Sequence, residues 1–133
     1  MSATPSEIKE ALKLALKTIK GLRVTDYQPD QPNPPFAFPV LTDVAYHGAM
    51  GRGNIVYQFQ VTIVAGRAAE RSAQAFLDRM IAYDDGVREA IEEDRTLGGV
   101  VQDCIVLSAG NIVSITANDT TYLTVDFQVQ VYG

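Results

Sequence analysis

The sequence predicts an α+β domain in which a mainly antiparallel sheet carries helices packed on one face, with residues 1–133 forming a single domain. Three observations support this prediction. The chain begins with a well-capped amphipathic helix, it contains several segments of alternating polar and apolar residues, and two helix-like segments interrupt those strands. A chain of 133 residues is long enough to bury one core but too short for two ordinary ones.

The first predicted element is a helix with a defined start. Thr4 is placed to act as the N-cap, Pro5 suits the first helical position, and Glu7 completes a capping box. Apolar residues then recur at helical spacing and form the predicted buried stripe, and Gly21 is a natural stop. That stripe consists of Ile8, Leu12, Ala15, Leu16 and Ile19.

Strands are predicted next, at residues 22–27, 36–46 and 55–64. Pro39 places the second of these at a sheet edge or a bulge, because proline has no backbone N–H to donate. The third alternates clearly, and Ala65-Gly66 is expected to end it. Its predicted inward residues are Tyr57, Phe59, Val61 and Ile63, with Gln58, Gln60 and Thr62 on the other side.

Two helices are predicted at residues 68–82 and 85–92, followed by strands at 100–108, 112–117 and 122–132. Asn118-Asp119 is the predicted turn of the final hairpin. The stripe of the longer helix comprises Ala69, Ala73, Phe76, Leu77, Met80 and Ile81. The inward face of the last strand comprises Leu123, Val125, Phe127, Val129 and Val131.

Composition argues against several classes of function. The net charge of −5 disfavours a protein that holds nucleic acid through phosphate contacts, and it equally disfavours attraction to an anionic membrane. The N-terminus does not resemble a signal peptide, and no apolar run reaches the ~18 residues of a membrane span. The expected location is the cytoplasm of the producing cell and afterwards an assembled particle.

Residues that carry chemistry are sparse. His47 is the only histidine and lies in a glycine-rich loop, while Cys104 is the only cysteine and lies in a predicted buried strand. Acidic residues cluster around the third helix, but their order fits no calcium-binding loop. We therefore expect no catalytic residues, no metal and no cofactor. A small α+β enzyme is the disfavoured alternative.

Three features point to contacts with other subunits or partners. The first is a proline-rich segment that is either a surface loop or an extended arm, and the second is a glycine-rich hairpin loop. The third is a sheet face with neutral side chains, which fits a covered surface or a channel lining as well as a merely polar face. The candidate interface residues are Pro29, Asp30, Pro32, Pro34, Pro35, Gly48, Met50, Gly51, Arg52, Gly53, Gln58, Gln60, Gln128 and Gln130.

An ordered series of short segments gives the chain a resemblance to a known family. These segments are Gly21-Leu22-Arg23-Val24, Tyr27-Gln28-Pro29-Asp30, Pro34-Pro35, Tyr57-Gln58-Phe59, Ala65-Gly66-Arg67, Leu77-Asp78, Val87-Arg88-Glu89-Ala90-Ile91, Thr96-Leu97-Gly98-Gly99-Val100-Val101, Tyr122-Leu123 and Phe127-Gln128-Val129-Gln130-Val131. In this order they resemble the small neck and tail proteins of long-tailed bacteriophages, especially those of actinobacteria, and the tail terminator above all.

This resemblance implies a virion protein without enzymatic activity. It implies a homo-oligomer, a six-fold ring, that caps the tail tube where the tube meets the head. The implied partners are the tail tube protein and a head-side connector protein, with DNA passing through the channel without specific binding. A head-closure (stopper) protein, another neck connector and a protein-binding adaptor outside phages stay open as alternatives.

Overall fold

The computed structural model describes residues 4–19, 22–24, 35–46, 55–67, 69–84, 86–117 and 120–132. These residues contain three helices and five strands. In chain order they are α1 (Pro5–Leu16), β1 (Arg23–Val24), β2 (Phe36–Tyr46), β3 (Ile55–Arg67), α2 (Arg71–Ile81), α3 (Val87–Glu92), β4 (Asp103–Ala117) and β5 (Thr120–Tyr132). The α+β class predicted from the sequence is confirmed.

The five strands form one sheet in the order β1-β2-β3-β5-β4. β1 runs parallel to β2, whereas the other neighbouring pairs are antiparallel. The last strand of the chain therefore lies between β3 and β4, and β4 becomes an outer strand of the sheet.

All three helices pack on the same face of the sheet, because a single apolar cluster contains their buried side chains together with those of the strands. The predicted inward residues of β3 are all buried, and so are Val125, Phe127, Val129 and Val131 of β5. At the start of α1 the predicted capping box is present. Thr4 Oγ1 accepts a 3.3 Å hydrogen bond from Glu7 N, and Glu7 Oε1 accepts one of 3.1 Å from Thr4 N.

The helices are shorter than the sequence predicts. Regular α1 ends at Leu16, before the expected stop at Gly21, although a turn continues the chain and keeps Ile19 buried. α2 begins at Arg71, so Ala69 is exposed and does not belong to the buried stripe. α3 begins at Val87, with Gly86 in the N-cap position. Helix ends carry fewer hydrogen bonds than helix interiors, which makes them the least certain part of a pattern-based prediction.

The prediction that Ala65-Gly66 ends the third strand is wrong, because β3 continues to Arg67. The pairing register with β5 shifts between Val64 and Gly66, so the glycine sits in a bulge. A Cβ at this position would lie 3.0 Å from the Cβ of Ala73, and φ of Gly66 is +151°. Glycine at this position thus lets α2 lie close against β3 without interrupting the strand.

The strands predicted at 100–108 and 112–117 are a single strand, β4. Residues 93–100 form turns, which delays the start of this strand to Asp103. Its pairing register with β5 shifts between Val106 and Ser108 and again between Gly110 and Val113. The glycine and polar residues that suggested a break are therefore accommodated as bulges within one long strand.

Candidate interaction surfaces

The outer strand β4 presents a long edge. At its beginning, two carboxylates accept hydrogen bonds from backbone N–H groups. Glu92 Oε2 accepts one from Val106 N at 3.0 Å, and Asp103 Oδ1 accepts one from Cys104 N at 2.9 Å. Arg95 holds the side chain of Asp103 with two hydrogen bonds of 2.7 Å, from Nε to Oδ1 and from Nη2 to Oδ2. The first part of the edge is thus covered by Glu92 and Arg95, which precede the strand, and by Asp103 at its start.

The rest of β4, residues 107–117, contains no Lys, Arg, Asp or Glu. Leu107 and Ile112 within it are each 52% exposed. Natural proteins usually protect a free edge with charged residues, proline or bulges, because an unprotected edge pairs readily with other strands. β4 has the bulges but no charge along these eleven residues, and it exposes two large apolar side chains.

The opposite edge of the sheet differs chemically. β1 pairs only with Phe36 and Ala37 of β2. Beyond that pairing β2 contains Pro39 and Asp43, and its register with β3 shifts between Leu41 and Asp43. This edge therefore has usual protecting features, and no described residue pairs with Pro39 on the side away from β3. The two edges of the sheet are not equivalent surfaces.

The sheet face opposite the helices, which we call the second face, carries a band of polar side chains in register. Gln58 lies opposite Gln130, Gln60 opposite Gln128, and Thr62 opposite Asp126. Hydrogen bonds connect the band: Gln128 Nε2 donates to Gln60 Oε1 at 3.5 Å, Gln60 Nε2 to Thr62 Oγ1 at 3.5 Å, and Thr62 Oγ1 to Asp126 Oδ1 at 2.8 Å. These residues are half-buried.

The second face is not uniformly polar, which the sequence reading did not anticipate. Phe36, Phe38 and Val64 form a separate buried apolar cluster at one end of it, and Tyr122 packs against that cluster. Thr124 of β5 lies opposite Val64 of this cluster and is only 5% exposed, although it is polar. The alternation of Phe36 and Phe38 in β2 was the sequence signal for this second cluster.

The structure brings together four of the predicted interface residues, namely Gln58, Gln60, Gln128 and Gln130 in the polar band. Pro35 lies beside β2, and its carbonyl accepts a 3.2 Å hydrogen bond from Arg23 N. The other predicted interface residues lie outside the described residues, as does His47. They are Pro29, Asp30, Pro32, Pro34, Gly48, Met50, Gly51, Arg52 and Gly53.

Cys104 is fully buried in β4, as predicted for a core thiol. Burial raises its pKa to about 12, and the negative charges of Asp103 and Glu92 add to that rise. A thiol reacts as the thiolate, so this environment disfavours nucleophilic chemistry at Cys104. Within the described residues no group of three or more His, Cys, Asp or Glu side chains could hold a metal ion.

No protein-family model matches the chain, and no curated protein is significantly similar to it in sequence. The resemblance to phage neck and tail proteins thus stays a prediction. No helix among the described residues is both long and apolar enough to cross a membrane.

Proposed function

We propose that this protein is a non-enzymatic structural subunit that assembles into a ring at the head-proximal end of a long-tailed phage tail. In this role it ends growth of the tail tube and joins the tail to the head. The ordered segments that resemble neck and tail proteins support the proposal, and the uncharged outer part of β4 is the structural observation that carries it.

A long edge without charges is a liability for a monomer and an advantage for a subunit that is covered in its assembly. Leu107 and Ile112, each more than half exposed, would become buried when a neighbouring subunit covers the β4 edge. The edge at β2 carries Pro39 and Asp43 instead. A contact between two unlike surfaces is head-to-tail, and head-to-tail contacts close into rings when the rotation between subunits permits.

The charge of the chain fits a ring through which DNA slides. Each subunit carries a net charge of −5, and like charges repel the phosphate backbone. The polar band on the second face contains four glutamines, Thr62 and the acidic Asp126, and no basic residue. It therefore fits either a subunit contact or a channel wall without strong phosphate binding. Both placements are compatible with the proposed ring.

The solution mass of the purified chain, measured by light scattering over a range of concentrations, tests self-assembly. A subunit has a mass of 14.5 kDa, so a six-fold ring has a mass of about 87 kDa. We expect this species for the wild-type chain. A double variant, Leu107→Lys with Ile112→Lys, should stay at 14.5 kDa, because two new charges on the edge oppose its burial.

The matched control is Ser72→Lys with Ala75→Lys, which adds the same charge on the exposed side of α2. It should assemble as the wild type does, and circular dichroism should show all three proteins equally folded. A wild-type dimer of about 29 kDa would indicate that two β4 edges pair with each other, which contradicts the ring. A wild-type monomer at every concentration would contradict a self-assembling ring.

Terminator and stopper functions predict different particles when the gene is removed from the phage. Loss of a terminator leaves tube growth unchecked, so electron microscopy should show tails of abnormal and variable length. Loss of a stopper leaves the filled head open, so tails should keep their normal length while heads lose DNA. Normal infectious particles would contradict both functions and favour an adaptor outside the virion.

A further inference from the structure

An apolar groove runs between α1 and the segment formed by α3 and the turn that follows it. Its volume is about 1010 Å³. Buried side chains form its floor, among them Ala11 of α1, Ile91 of α3 and Leu97 of the turn. Leu14 forms part of the α1 wall and is 59% exposed, which makes it an unusually exposed leucine beside an apolar floor.

Four carboxylates border this floor. Glu7 and Glu10 lie on the α1 side, and Glu93 and Asp94 lie on the side of α3. No lysine or arginine is among the described residues that line the groove, although α1 itself carries Lys9, Lys13 and Lys17. The groove thus combines an apolar floor with negative charge on both sides. Each feature alone is common, but their combination selects for one kind of occupant.

The wall formed by the turn after α3 is held in place by Asp94. Its Oδ1 accepts hydrogen bonds from Thr96 N at 3.0 Å and Thr96 Oγ1 at 2.6 Å, and its Oδ2 accepts one from Gly98 N at 3.0 Å. These bonds lower the pKa of Asp94, the side chain of Thr96 contributing most. The negative charge of Asp94 is therefore kept to a lower pH than that of an ordinary aspartate.

The backbone of Leu97 helps to fix the shape of that wall, while its side chain lies in the floor. Leu97 adopts φ of +51°, in the left-handed region that leucine rarely enters, and Gly98 follows with φ of +73°. Such a backbone is strained for a residue with a side chain, so it needs support from its surroundings. Burial of the Leu97 side chain in the core cluster supplies that support. A wall held by the core is available for binding without prior rearrangement.

We propose that this groove binds a short amphipathic helix of another protein, with apolar side chains on the floor and Lys or Arg residues on both flanks. A helix lying in an apolar groove is a common mode of peptide recognition, and charges around such a groove select the partner. The negative residues on both sides favour basic flanks and disfavour acidic ones. This inference goes beyond the proposed ring, because the groove is distinct from the β4 edge.

The test uses the full chain and a synthetic peptide of about 15 residues, with leucines at helical spacing, lysines on both flanks and one tryptophan on the apolar side. The chain contains no tryptophan, so the emission reports only on the peptide. We expect saturable binding with a blue shift as the tryptophan becomes buried. A second peptide with glutamate in place of every lysine should bind at least about tenfold more weakly.

Two variants place the binding in the groove. Glu10→Lys with Glu93→Lys should weaken binding about tenfold or more, and Leu14→Ser should weaken it about fivefold by removing apolar contact. The control, Glu70→Lys with Asp78→Lys, makes the same change in net charge on exposed residues of the α2 segment. It should leave affinity within about twofold of the wild type, which separates a defined site from general attraction to an acidic protein.

Several results would overturn the proposal. The first is that the lysine peptide does not bind at concentrations up to about 1 mM. The second is that the glutamate peptide binds as tightly as the lysine peptide. The third is that the control variant weakens binding as much as Glu10→Lys with Glu93→Lys does. A lower solution mass for the Leu14→Ser variant than for the wild type would also overturn it, because the occupant would then be a second copy of this chain. These outcomes are independent of the Leu107 and Ile112 variant, so failure of the groove and failure of the ring can be distinguished.

Discussion

Glu92 joins the end of α3 to the outer strand of the sheet, because its Oε2 accepts a 3.0 Å hydrogen bond from Val106 N. The other carboxylate oxygen, Oε1, accepts from Arg88 Nη1 at 3.2 Å, and the guanidinium of Arg88 lies 3.7 Å from the ring centroid of Tyr83. The bonded amide lies just before the first bulge of β4. This one side chain therefore marks the point where the covered part of the edge ends and the uncharged part begins.

We expect Glu92→Ala to lower the free energy of unfolding by about 1–2 kcal/mol, because it leaves a half-buried backbone donor without its charged acceptor. Glu92→Gln keeps an acceptor oxygen and should cost less. Urea unfolding followed by circular dichroism measures both. Glu93→Ala, at the exposed next position, is the control and should have little effect. Equal effects of the alanine and glutamine variants would show that the Arg88 ion pair matters more than the bond to β4.

Reactivity of Cys104 reports on the same region. At pH 8 a thiol with a pKa of about 12 is ionised in only about one molecule in 10⁴, whereas an ordinary thiol is ionised to roughly a quarter. We expect iodoacetamide to label the native protein on the order of a thousandfold more slowly than the chain in denaturant, as followed by intact mass. Glu92→Ala should label faster than the wild type. Native labelling at the denatured rate would contradict the burial of Cys104.

Much of the fold follows from local signals in the sequence. The capping box at Thr4 and the alternation in β3 specify their elements, because the residues that decide them are near neighbours in the chain. The position of β5 between β3 and β4 could not be predicted in this way, because the residues of β5 alone do not determine which strands it pairs with. Pairing of distant segments is decided by the whole core, and a single sequence does not display it.

The errors in β3 and β4 have a common cause. Gly66 and the 109–111 segment look like breaks, because glycine and small polar residues favour turns. In the structure each is a bulge within a continuous strand, since neighbouring strands supply pairing on both sides of the irregular residue. The same limit applies to surfaces. The polar band could be predicted from alternation, whereas the groove depends on α1 and α3 meeting, which no local pattern shows.

The turn after α3 should give a pH-dependent contribution to stability. The pKa of Asp94 is lowered in the folded state, so folding favours its ionised form. This contribution is present at neutral pH, above the unfolded pKa of about 3.9, and is lost as pH falls through the lower folded value. Asp94→Asn should therefore be less stable than the wild type at pH 7, with a difference that shrinks towards pH 2. Urea unfolding at several pH values measures this difference in the free energy of unfolding. A difference that grows in acid would contradict a lowered pKa of Asp94.

The polar band on the second face offers a test of assembly that does not involve the β4 edge. Gln60→Lys with Gln128→Lys places two positive charges directly opposite each other, at a cost of roughly 0.2–1 kcal/mol to the subunit, so it should still fold. If the proposed ring buries this band between subunits, those charges should prevent formation of the 87 kDa species. Gln74→Lys with Gln102→Lys, at exposed positions away from the band, is the control. Normal rings from the band variant would instead place the band on a surface free of subunit contacts, such as the channel wall, and added DNA should then be retained by the variant rings through their new positive charges.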